Sequence, residues 1–298
     1  TTTAFKEALC LTFEEVQELT NRLVTVLLQS VAATQHTPLN QEPELTSSSA
    51  TMVKQLLHTQ FSTAILVPDG PMLVIAELAV ISAGGFFVPM VCESFRRFVL
   101  ACHVYHISAQ FKKKNALLNT QAPTTPVRRL HSMFLDVLPQ IVVCREEHKA
   151  LVEEVIASVQ GSRTQTTGSC NQQVPLPVPH WAPRVLIAEE LWSQIRDPTS
   201  LPAPTTVSKQ QSHRSISACH AIYTSGSTGL PKAVLVQHSS VVNYCHAKNS
   251  AQQINASARV LLASAFVFDP NLGDIFSTLA AGATLCVASH ELVCSHLP

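Results

Sequence analysis

The sequence predicts an α/β protein in which largely parallel sheets are flanked by helices. Apolar residues at helical spacing alternate along the chain with short runs rich in β-branched and aromatic residues. Such alternation is typical of parallel sheets, because parallel strands are usually joined by a helical crossover. Hydrophobic residues make up 46% of the 298 residues and charged residues 13%, so the chain is able to bury a sizeable core.

The first predicted element is an amphipathic helix in LTFEEVQELTNRL at 11–23. Thr12 and Glu15 have the spacing of a capping box, in which each side chain satisfies the other residue's backbone N–H at the start of a helix. One face of the helix is apolar, and it consists of Phe13, Val16, Leu19, Leu23 and Leu27. This pattern predicts a core helix with no chemistry of its own.

A second helix and a strand are predicted in the next apolar stretch. Pro71 suits the first turn of a helix, and Gly84 and Gly85 are able to end it. The FFVPM sequence at 86–90 has the composition of a strand. Residues 78–92 are uncharged, but fifteen residues interrupted by two glycines and a proline are too few to cross a bilayer. A buried helix and strand without membrane contact are therefore predicted.

Short apolar runs and polar stretches alternate along the rest of the first 217 residues. Three of the apolar runs are predicted strands, at 62–67, 141–144 and 185–188. Polar stretches rich in Thr, Gln, Pro and Ser lie near 35–49, 119–125, 161–183 and 197–217. Such stretches bury too little apolar surface to offset the entropy of ordering them, so they are predicted to be loops or insertions.

The most informative stretch is YTSGSTGLPK at 223–232, which overlaps the end of the apolar run 218–224. The apolar run predicts a buried strand that delivers a glycine-rich loop to the edge of a sheet. Gly226 and Gly229 allow backbone N–H groups to approach an anion closely. Further donors come from four hydroxyl side chains: Thr224, Ser225, Ser227 and Thr228. Lys232 supplies a mobile positive charge, so the stretch predicts a phosphate-binding loop.

Two other interpretations of this loop compete with phosphate binding. The P-loop of NTPases requires Gly-Lys-Ser/Thr directly before a helix, whereas here Pro231 precedes Lys232 and disfavours an immediate helix start. A Ser/Gly-rich surface linker has a similar composition. The strand before the loop and the Pro-Lys pair after it favour phosphate binding over both.

A strand, a turn and a helix are predicted in RVLLASAFVFDPNLGDIFSTLAAGATL at 259–285. The strand covers 260–266, the helix covers 275–281, and Gly282 closes the helix before another strand. The first strand would deliver the pair Phe268–Asp269 to a cleft.

The motif YTSGSTGLPKAVLVQH at 223–238 resembles the phosphate-binding core motif of the adenylate-forming superfamily. This superfamily includes acyl-CoA synthetases, luciferases and the adenylation domains of nonribosomal peptide synthetases. Three further segments resemble its first, second and fourth motifs, and they occur in the family's order: 11–23, 77–90 and 259–285.

The resemblance implies the large N-terminal part of the adenylate-forming fold, in which two stacked, largely parallel sheets are flanked by helices. Residues 1–298 are thus expected to be an incomplete N-terminal AMP-binding (adenylation) domain that ends shortly after the fourth motif, with the C-terminal domain absent. We expect this chain alone not to complete the family's reaction. Two sites depart from the family pattern, since Ala233 replaces a usual glycine and Val91–Cys92 replace a frequent acidic residue.

The resemblance also implies an ATP-dependent acid-thiol ligase, as part of a longer protein. The substrate carboxylate attacks the α-phosphate of ATP, pyrophosphate leaves, and the acyl group passes to the thiol of CoA or of phosphopantetheine on a carrier-protein domain. Mg²⁺ and hydrogen-bond donors offset the phosphate charge. The residues that would bind the β- and γ-phosphates are Thr224, Ser225, Gly226, Ser227, Thr228, Gly229 and Lys232.

The Phe268–Asp269 pair indicates which acid is activated. In amino-acid-activating members the aspartate of this pair binds the α-amino group of the substrate, and acyl-CoA synthetases and luciferases usually lack it. A carboxylate that faces an ammonium selects amino acids over fatty acids. The other role open to Asp269 is to cap the helix that begins after Pro270. Pro270 and Gly273 resemble pocket positions, and the absent side chain at Gly273 predicts room for a long substrate.

An amino acid or a similar amine-bearing acid is therefore the predicted substrate of a nonribosomal-peptide-synthetase-like adenylation domain. Two alternatives stay open. One is an acyl-CoA-synthetase-like ligase for a simple carboxylic acid, and the other is a truncated, inactive nucleotide-binding module.

The composition argues against other classes of function. A formal net charge of zero provides no electrostatic surface for nucleic acid. Nine scattered cysteines without a CxxC pair indicate reduced thiols in a cytoplasmic protein. His103 and His106 have one-turn helical spacing, but no further ligands complete a set, so no metal site is predicted on the side chains. Neither a secretory signal nor a transit peptide is evident.

Overall fold

A computed structural model of the chain describes residues 9–34, 60–68, 70–91, 126–161, 181–197, 199, 217–225 and 231–288. Helices and strands alternate within these residues, which confirms the predicted α/β fold class. The helices are α1 (Phe13–Thr34), α2 (Pro71–Ser82), α3 (Pro126–Val137), α4 (Lys149–Gly161), α5 (Ala188–Arg196), α6 (His238–Gln252) and α7 (Asp269–Ala280). The strands are β1 (Ser62–Leu66), β2 (Phe86–Pro89), β3 (Ile141–Cys144), β4 (Arg184–Ile187), β5 (Ala218–Ser225), β6 (Pro231–Gln237), β7 (Arg259–Leu262) and β8 (Thr284–Val287).

Six of the described strands form one sheet in the order β4-β3-β1-β2-β5-β6. The first five are parallel to one another, and β6 runs antiparallel to β5 at the edge. From β1 the chain moves in one direction to β2, whereas from β3 it moves in the other direction to β4. Right-handed crossovers in opposite directions place helices on opposite faces of the sheet. Strands β7 and β8 form a separate parallel pair.

The two faces of the large sheet carry separate apolar clusters. Because side chains alternate along a strand, Ile65 and Phe87 belong to one cluster and Leu66 and Phe86 to the other. The first cluster includes residues of α1, α2 and α5, and the second includes residues of α3 and α4. Strands β1, β2 and β3 are buried along their whole length, as expected for parallel strands covered on both faces.

Local sequence signals determine the start of α1 and the end of α2. Thr12 N–H donates to Glu15 Oε2 at 2.7 Å and Glu15 N–H donates to Thr12 Oγ1 at 3.1 Å, which confirms the predicted capping box. The hydrogen bond from the Thr12 N–H lowers the pKa of the Glu15 carboxyl. Gly84 follows α2 with a φ of 85°, a conformation that side chains disfavour. Gly85 N–H then donates to Val80 O at 3.0 Å and closes the helix end.

The apolar segment predicted to be a buried helix and strand is α2 followed by β2. Eight of the twelve residues of α2 are buried, and β2 is buried throughout. In the described part of the chain, no helix is long and apolar enough to cross a membrane.

Most predicted elements occur close to their expected bounds. The strands predicted at 62–67, 141–144 and 185–188 are β1, β3 and β4, each within one residue at either end. The strand predicted at 260–266 is too long, because the backbone turns towards α7 after β7 ends. The helix predicted at 275–281 begins six residues earlier, since a proline fits the first turn of a helix.

The predicted polar insertions lie mostly outside the described residues. The stretches 35–49 and 119–125 lie wholly outside them, and 161–183 and 197–217 do so except near their ends. Trp181, near the end of the third stretch, is buried edge-on against Phe134 at a centroid distance of 6.1 Å. Its Nε1–H donates to a backbone carbonyl at 3.0 Å. This tryptophan therefore belongs to the core rather than to an insertion.

His220 of β5 is a buried polar residue within the sheet. Its ring packs on Phe87 of the neighbouring β2 at a centroid distance of 5.6 Å, and Phe87 in turn lies 6.3 Å from the ring of Phe276 in α7. Burial, with a smaller contribution from His238, lowers the pKa of His220 to about 4. The imidazole is therefore neutral at pH 7 and packs as an aromatic ring.

The low pKa of His220 should make the folded chain less stable in mild acid. The unfolded chain takes up this proton near pH 6.5, whereas the folded chain takes it up near pH 4. The contribution of His220 to stability is therefore complete above pH 6.5 and falls as the pH decreases towards 4, by about 2 kcal/mol at pH 5. We expect His220→Phe to remove this part of the pH dependence in urea unfolding between pH 7 and pH 5. His246→Phe, at an exposed position, is the control, and identical pH dependence in both variants would contradict the assignment.

Candidate active site

The strands on either side of the predicted phosphate loop form an antiparallel hairpin at the sheet edge. Thr224 near the end of β5 lies opposite Lys232 near the start of β6, and both side chains are exposed. Thr224 Oγ1 donates to Lys232 O at 3.4 Å. The residues between the strands, 226–230, and the side chain of Ser225 lie outside the described part. The hairpin brings the two ends of the predicted loop together.

The hairpin lies at the edge of the sheet where parallel strands end. Because β5 is parallel to β1, β2 and β3, its last residues, which lead into the predicted loop, lie at the same edge as the carboxyl ends of those strands. Ligands of open α/β sheets bind at this edge. The position of the predicted loop therefore fits a ligand-binding role.

Tyr223 anchors the end of β5 to α3. Its hydroxyl donates to Asp136 Oδ2 at 3.0 Å and shares that proton with Met133 O at 3.1 Å. Burial raises the pKa of Tyr223 well above its usual range, and the carboxylate of Asp136 adds to the rise. The phenol is therefore a neutral donor that fixes the residue directly before Thr224. Sequence reasoning missed Asp136, because no local pattern connects residues 87 positions apart.

Phe268 and Asp269 lie together at the N-terminus of α7. Phe268 occupies the N-cap position with an extended backbone, and no side-chain hydrogen bond caps this helix. Asp269 is the first helical residue, and its side chain is exposed. Among the described contacts, no hydrogen bond from a backbone N–H of α7 to the Asp269 side chain supports its alternative role as a helix cap. An acidic side chain in the first turn of a helix interacts favourably with the partial positive charge at the helix N-terminus.

Asn271, which sequence reasoning missed, fixes the turn before α7. Its side chain is fully buried, and Nδ2 donates to Ser264 O at 2.6 Å. The backbone closes the same turn, because Asn271 N–H donates to Phe268 O and Phe268 N–H donates to Ala265 O, both at 3.0 Å. These hydrogen bonds orient the start of α7. A signal was present in the sequence, since asparagine next to proline is common in turns that its side chain stabilises.

The ring of Tyr244 in α6 lies where a side chain at Gly273 would be. A Cβ atom added to Gly273 would be 2.5 Å from Tyr244 Cε1 and 2.8 Å from Tyr244 Oη. Both distances are shorter than van der Waals contact. The tyrosine ring therefore lies in the space beside Gly273 where room for a long substrate is expected, and the role of Gly273 as a pocket position stays a prediction.

Polar contacts near Tyr244 hold α6 on α7. Lys248 Nζ forms an ion pair with Asp274 and lies 5.8 Å from the centroid of the Tyr244 ring. Asn249 Nδ2 donates to Ser277 O at 3.0 Å. Because α6 follows β6 without an intervening residue, these contacts connect the hairpin to the helix that carries the Phe-Asp pair.

Within the described residues, the thiol of Cys219 is not activated and no group of metal ligands is assembled. The described cysteines are free thiols, and burial raises the pKa of Cys219 to about 12, with Glu77 and Cys245 adding to the rise. A thiol with so high a pKa stays protonated and is a poor nucleophile. No three His, Cys, Asp or Glu side chains of the described residues are grouped as metal ligands.

The largely parallel sheet, with strand β5 leading into the glycine-rich sequence 226–230 and Asp269 at the start of α7, agrees with the class of adenylate-forming enzymes. A family model described as AMP-binding enzyme matches residues 112–296, which is more than half of the chain. The chain belongs to this family.

The relatives by sequence include nonribosomal peptide synthetases, which confirms the resemblance to their adenylation domains. Nonribosomal peptide synthetase 1 of Aspergillus fumigatus is 30% identical over 218 residues, covering 73% of this chain and 2% of that protein. Nonribosomal peptide synthetase easA of Emericella nidulans is 38% identical over 123 residues, covering 37% of this chain and 2% of that protein. The chain thus spans a small part of the length of these curated relatives.

Solved structures share the fold at low sequence identity. ATP-bound MatB from Rhodopseudomonas palustris has a TM-score of 0.56 at 13% identity, covering 93% of this chain and 39% of that chain. VinN in complex with 3-methylaspartate has a TM-score of 0.55 at 15% identity, covering 95% and 56%. The nonribosomal peptide synthetase FmoA3 has a TM-score of 0.52 at 17% identity, covering 95% and 20%. These neighbours confirm the adenylate-forming fold.

The contact between Tyr244 and Gly273 should appear as an energetic coupling. Gly273→Ala places a methyl group where the exposed ring now lies, so the ring must shift, and the free energy of unfolding should fall by about 1 kcal/mol, the lower end of the usual cost of overpacking. In the Tyr244→Ala background the same change should be neutral or stabilising, because alanine favours helix and the ring is gone. Urea unfolding of the single and double variants measures the difference. Gly161→Ala, where nothing lies within 4 Å of the added Cβ, is the control. Equal effects of Gly273→Ala in both backgrounds would show that the ring does not occupy this position.

Proposed function

We propose that this chain is the N-terminal part of an enzyme that uses ATP to activate the carboxylate of an amino acid, or of a similar amine-bearing acid, as an acyl-adenylate. Pyrophosphate leaves in that step, and the acyl group then passes to the thiol of phosphopantetheine on a carrier-protein domain, or to CoA. The observation that carries the proposal is the exposed Asp269 at the start of α7 in a chain of the AMP-binding family.

The β5–β6 hairpin fits the polyphosphate end of ATP. Exposed Thr224 and Lys232 lie opposite each other at the two ends of a loop that contains Gly226 and Gly229. A mobile ammonium and a hydroxyl at the mouth of a glycine-rich loop provide a point charge and hydrogen-bond donors for the β- and γ-phosphates. Their role is to hold the leaving pyrophosphate and to offset the negative charge that develops on it. MatB, a structural neighbour, is described as ATP bound.

Mg²⁺ would enter the site together with the nucleotide. It would neutralise part of the phosphate charge, and in nucleotide sites it retains several waters and binds mainly phosphate oxygens. We assign none of the described residues to it, because they contain no group of three side chains suited to a metal ion.

Asp269 fits the ammonium group of the substrate. Its exposed carboxylate at the helix N-terminus is able to form a charge-assisted hydrogen bond, which an acid without an amine cannot supply. Phe268 and Pro270 flank it and would line the same pocket. The names of the relatives support an amino-acid substrate, since they include nonribosomal peptide synthetases and VinN in complex with L-aspartate.

Lys232→Ala should weaken the use of ATP without unfolding the domain. Loss of a charge-assisted contact worth about 1.5–3 kcal/mol predicts a rise in KM for ATP of roughly tenfold to a hundredfold. ATP–pyrophosphate exchange by the full-length gene product measures this effect. Arg184→Ala is the control, because it removes an exposed positive charge at the opposite, amino edge of the same sheet. Equal ATP dependence in Lys232→Ala and the wild type would show that the loop is only a linker.

Asp269→Asn should remove most of the exchange that amino acids drive. Loss of the carboxylate that faces the substrate ammonium predicts a fall in kcat/KM for the amino acid of roughly thirtyfold or more, corresponding to at least about 2 kcal/mol. ATP binding by the chain, measured by calorimetry, should be retained. Glu190→Gln, an exposed carboxylate of α5, is the control.

Other outcomes of these assays identify the alternatives. Exchange in the wild type that is driven only by acids without an amine would replace the proposal with a ligase for simple carboxylic acids. If none of the acids tested drives ATP–pyrophosphate exchange, the protein is an inactive nucleotide-binding module.

A further inference from the structure

We infer that Tyr244, contributed by α6, forms a wall of the pocket for the substrate side chain and limits the size of the acid that the enzyme activates. The inference rests on the proposed function, because it takes Asp269 as the anchor of the substrate amine. It assigns a specificity-determining role to a residue outside the segment that carries the Phe-Asp pair.

The geometry of α7 brings Tyr244 and Asp269 to one side of the helix. Asp269 and Gly273 are four residues apart, so they lie on the same face, separated by about 6 Å along the axis. The position of a side chain at Gly273 is taken by the Tyr244 ring, 2.5 Å from the point where a Cβ would be. The ring is therefore the next group along this face after the carboxylate. A substrate whose amine contacts Asp269 and whose side chain extends along α7 meets the ring.

The ring has a defined position and a surface that is still available for contact. One side lies on the backbone of Gly273, and the ammonium of Lys248 lies 5.8 Å from the ring centroid, where Asp274 holds it in an ion pair. Tyr244 is 48% exposed, so about half of its side chain is available for contact with a bound molecule.

The identity of the residue indicates the class of side chain that fits. Without Tyr244, the space beside Gly273 would be open to the side chain of the substrate. Because the tyrosine ring lies in that space, we expect the pocket to accept small or medium side chains and to exclude bulky ones. A substrate that lacks one methylene of apolar contact is disfavoured by only about 10-fold to 200-fold. Steric exclusion by a ring distinguishes bulky substrates from small ones more strongly.

Tyr244→Ala in the full-length gene product tests the inference by substrate size. ATP–pyrophosphate exchange is measured with two matched panels. One panel contains amino acids of increasing side-chain size, from alanine through leucine to tryptophan, and the other contains the same acids without the amine. We expect kcat/KM for tryptophan relative to alanine to rise at least tenfold in Tyr244→Ala, with KM for ATP unchanged. An unchanged size ratio would overturn the inference.

Two variants serve as controls. Tyr244→Phe retains the ring and should retain the wild-type size ratio. Val242→Ala shortens another exposed apolar side chain of α6, 54% exposed, and should also leave the ratio unchanged. If Tyr244→Ala fails to fold in thermal denaturation, Tyr244→Leu gives the same comparison with more of the volume retained, and it should raise the ratio to an intermediate value.

The two panels separate failure of the inference from failure of the proposed function. If acids without the amine serve as well as amino acids in the wild type, the role of Asp269 is wrong, but the size ratio within that panel still decides the role of Tyr244. If amino acids are preferred and the ratio does not change, the proposed function stands and Tyr244 is only a packing residue. If neither panel of acids drives ATP–pyrophosphate exchange, both the proposed function and the role of Tyr244 are contradicted.

Discussion

The parallel pairing of β5 with β2 is the constraint on which the candidate site depends. It sets the carboxyl end of β5, which leads into the proposed phosphate loop, at the edge where the other parallel strands end. An antiparallel β5 would deliver the same loop to the opposite edge, away from the usual ligand site of such sheets. His220 and Phe87, partners in the register of these strands, pack ring on ring, and Phe87 also contacts Phe276 of α7. One aromatic contact chain therefore connects the strand that carries the loop with the helix that carries Asp269.

A second connection between the two halves of the site runs through α6. Gln237 ends β6 and His238 begins α6, so a displacement of the hairpin is transmitted to the first turn of this helix. Farther along, α6 packs on α7, with the Tyr244 ring beside Gly273. The β5–β6 hairpin and α7 are thus joined by covalent continuity at one end of α6 and by direct packing nearer the other. The two segments that carry the proposed site residues accordingly share one connecting helix.

Features of the site that depend on neighbouring residues could be predicted from the sequence, and those that depend on distant residues could not. The capping box at Thr12, the strand before the phosphate loop and the Phe-Asp pair each follow from a few adjacent residues. Helix α7 begins at Asp269, as the alternative role of Asp269 beside a helix start at Pro270 required, and so it extends six residues before the predicted 275–281. The bond between Tyr223 and Asp136 joins residues 87 positions apart, and its formation depends on the packing of α3 against the sheet. The same reason applies at Gly273, where the sequence shows an absent side chain but not the tyrosine ring that lies beside it.

The ion pair between Lys248 and Asp274 is best understood as a device for positioning. Lys248 is almost entirely buried and Asp274 largely so, and withdrawing two charges from water costs free energy that their attraction does not reliably recover. Apolar residues at both positions would pack the two helices without that cost. An ion pair, however, fixes one lysine to one carboxylate, and so it defines both the rotation and the axial position of α6 relative to α7. Tyr244 lies one turn before Lys248 and Gly273 directly precedes Asp274, so the register that the pair specifies is the register that holds the ring beside Gly273.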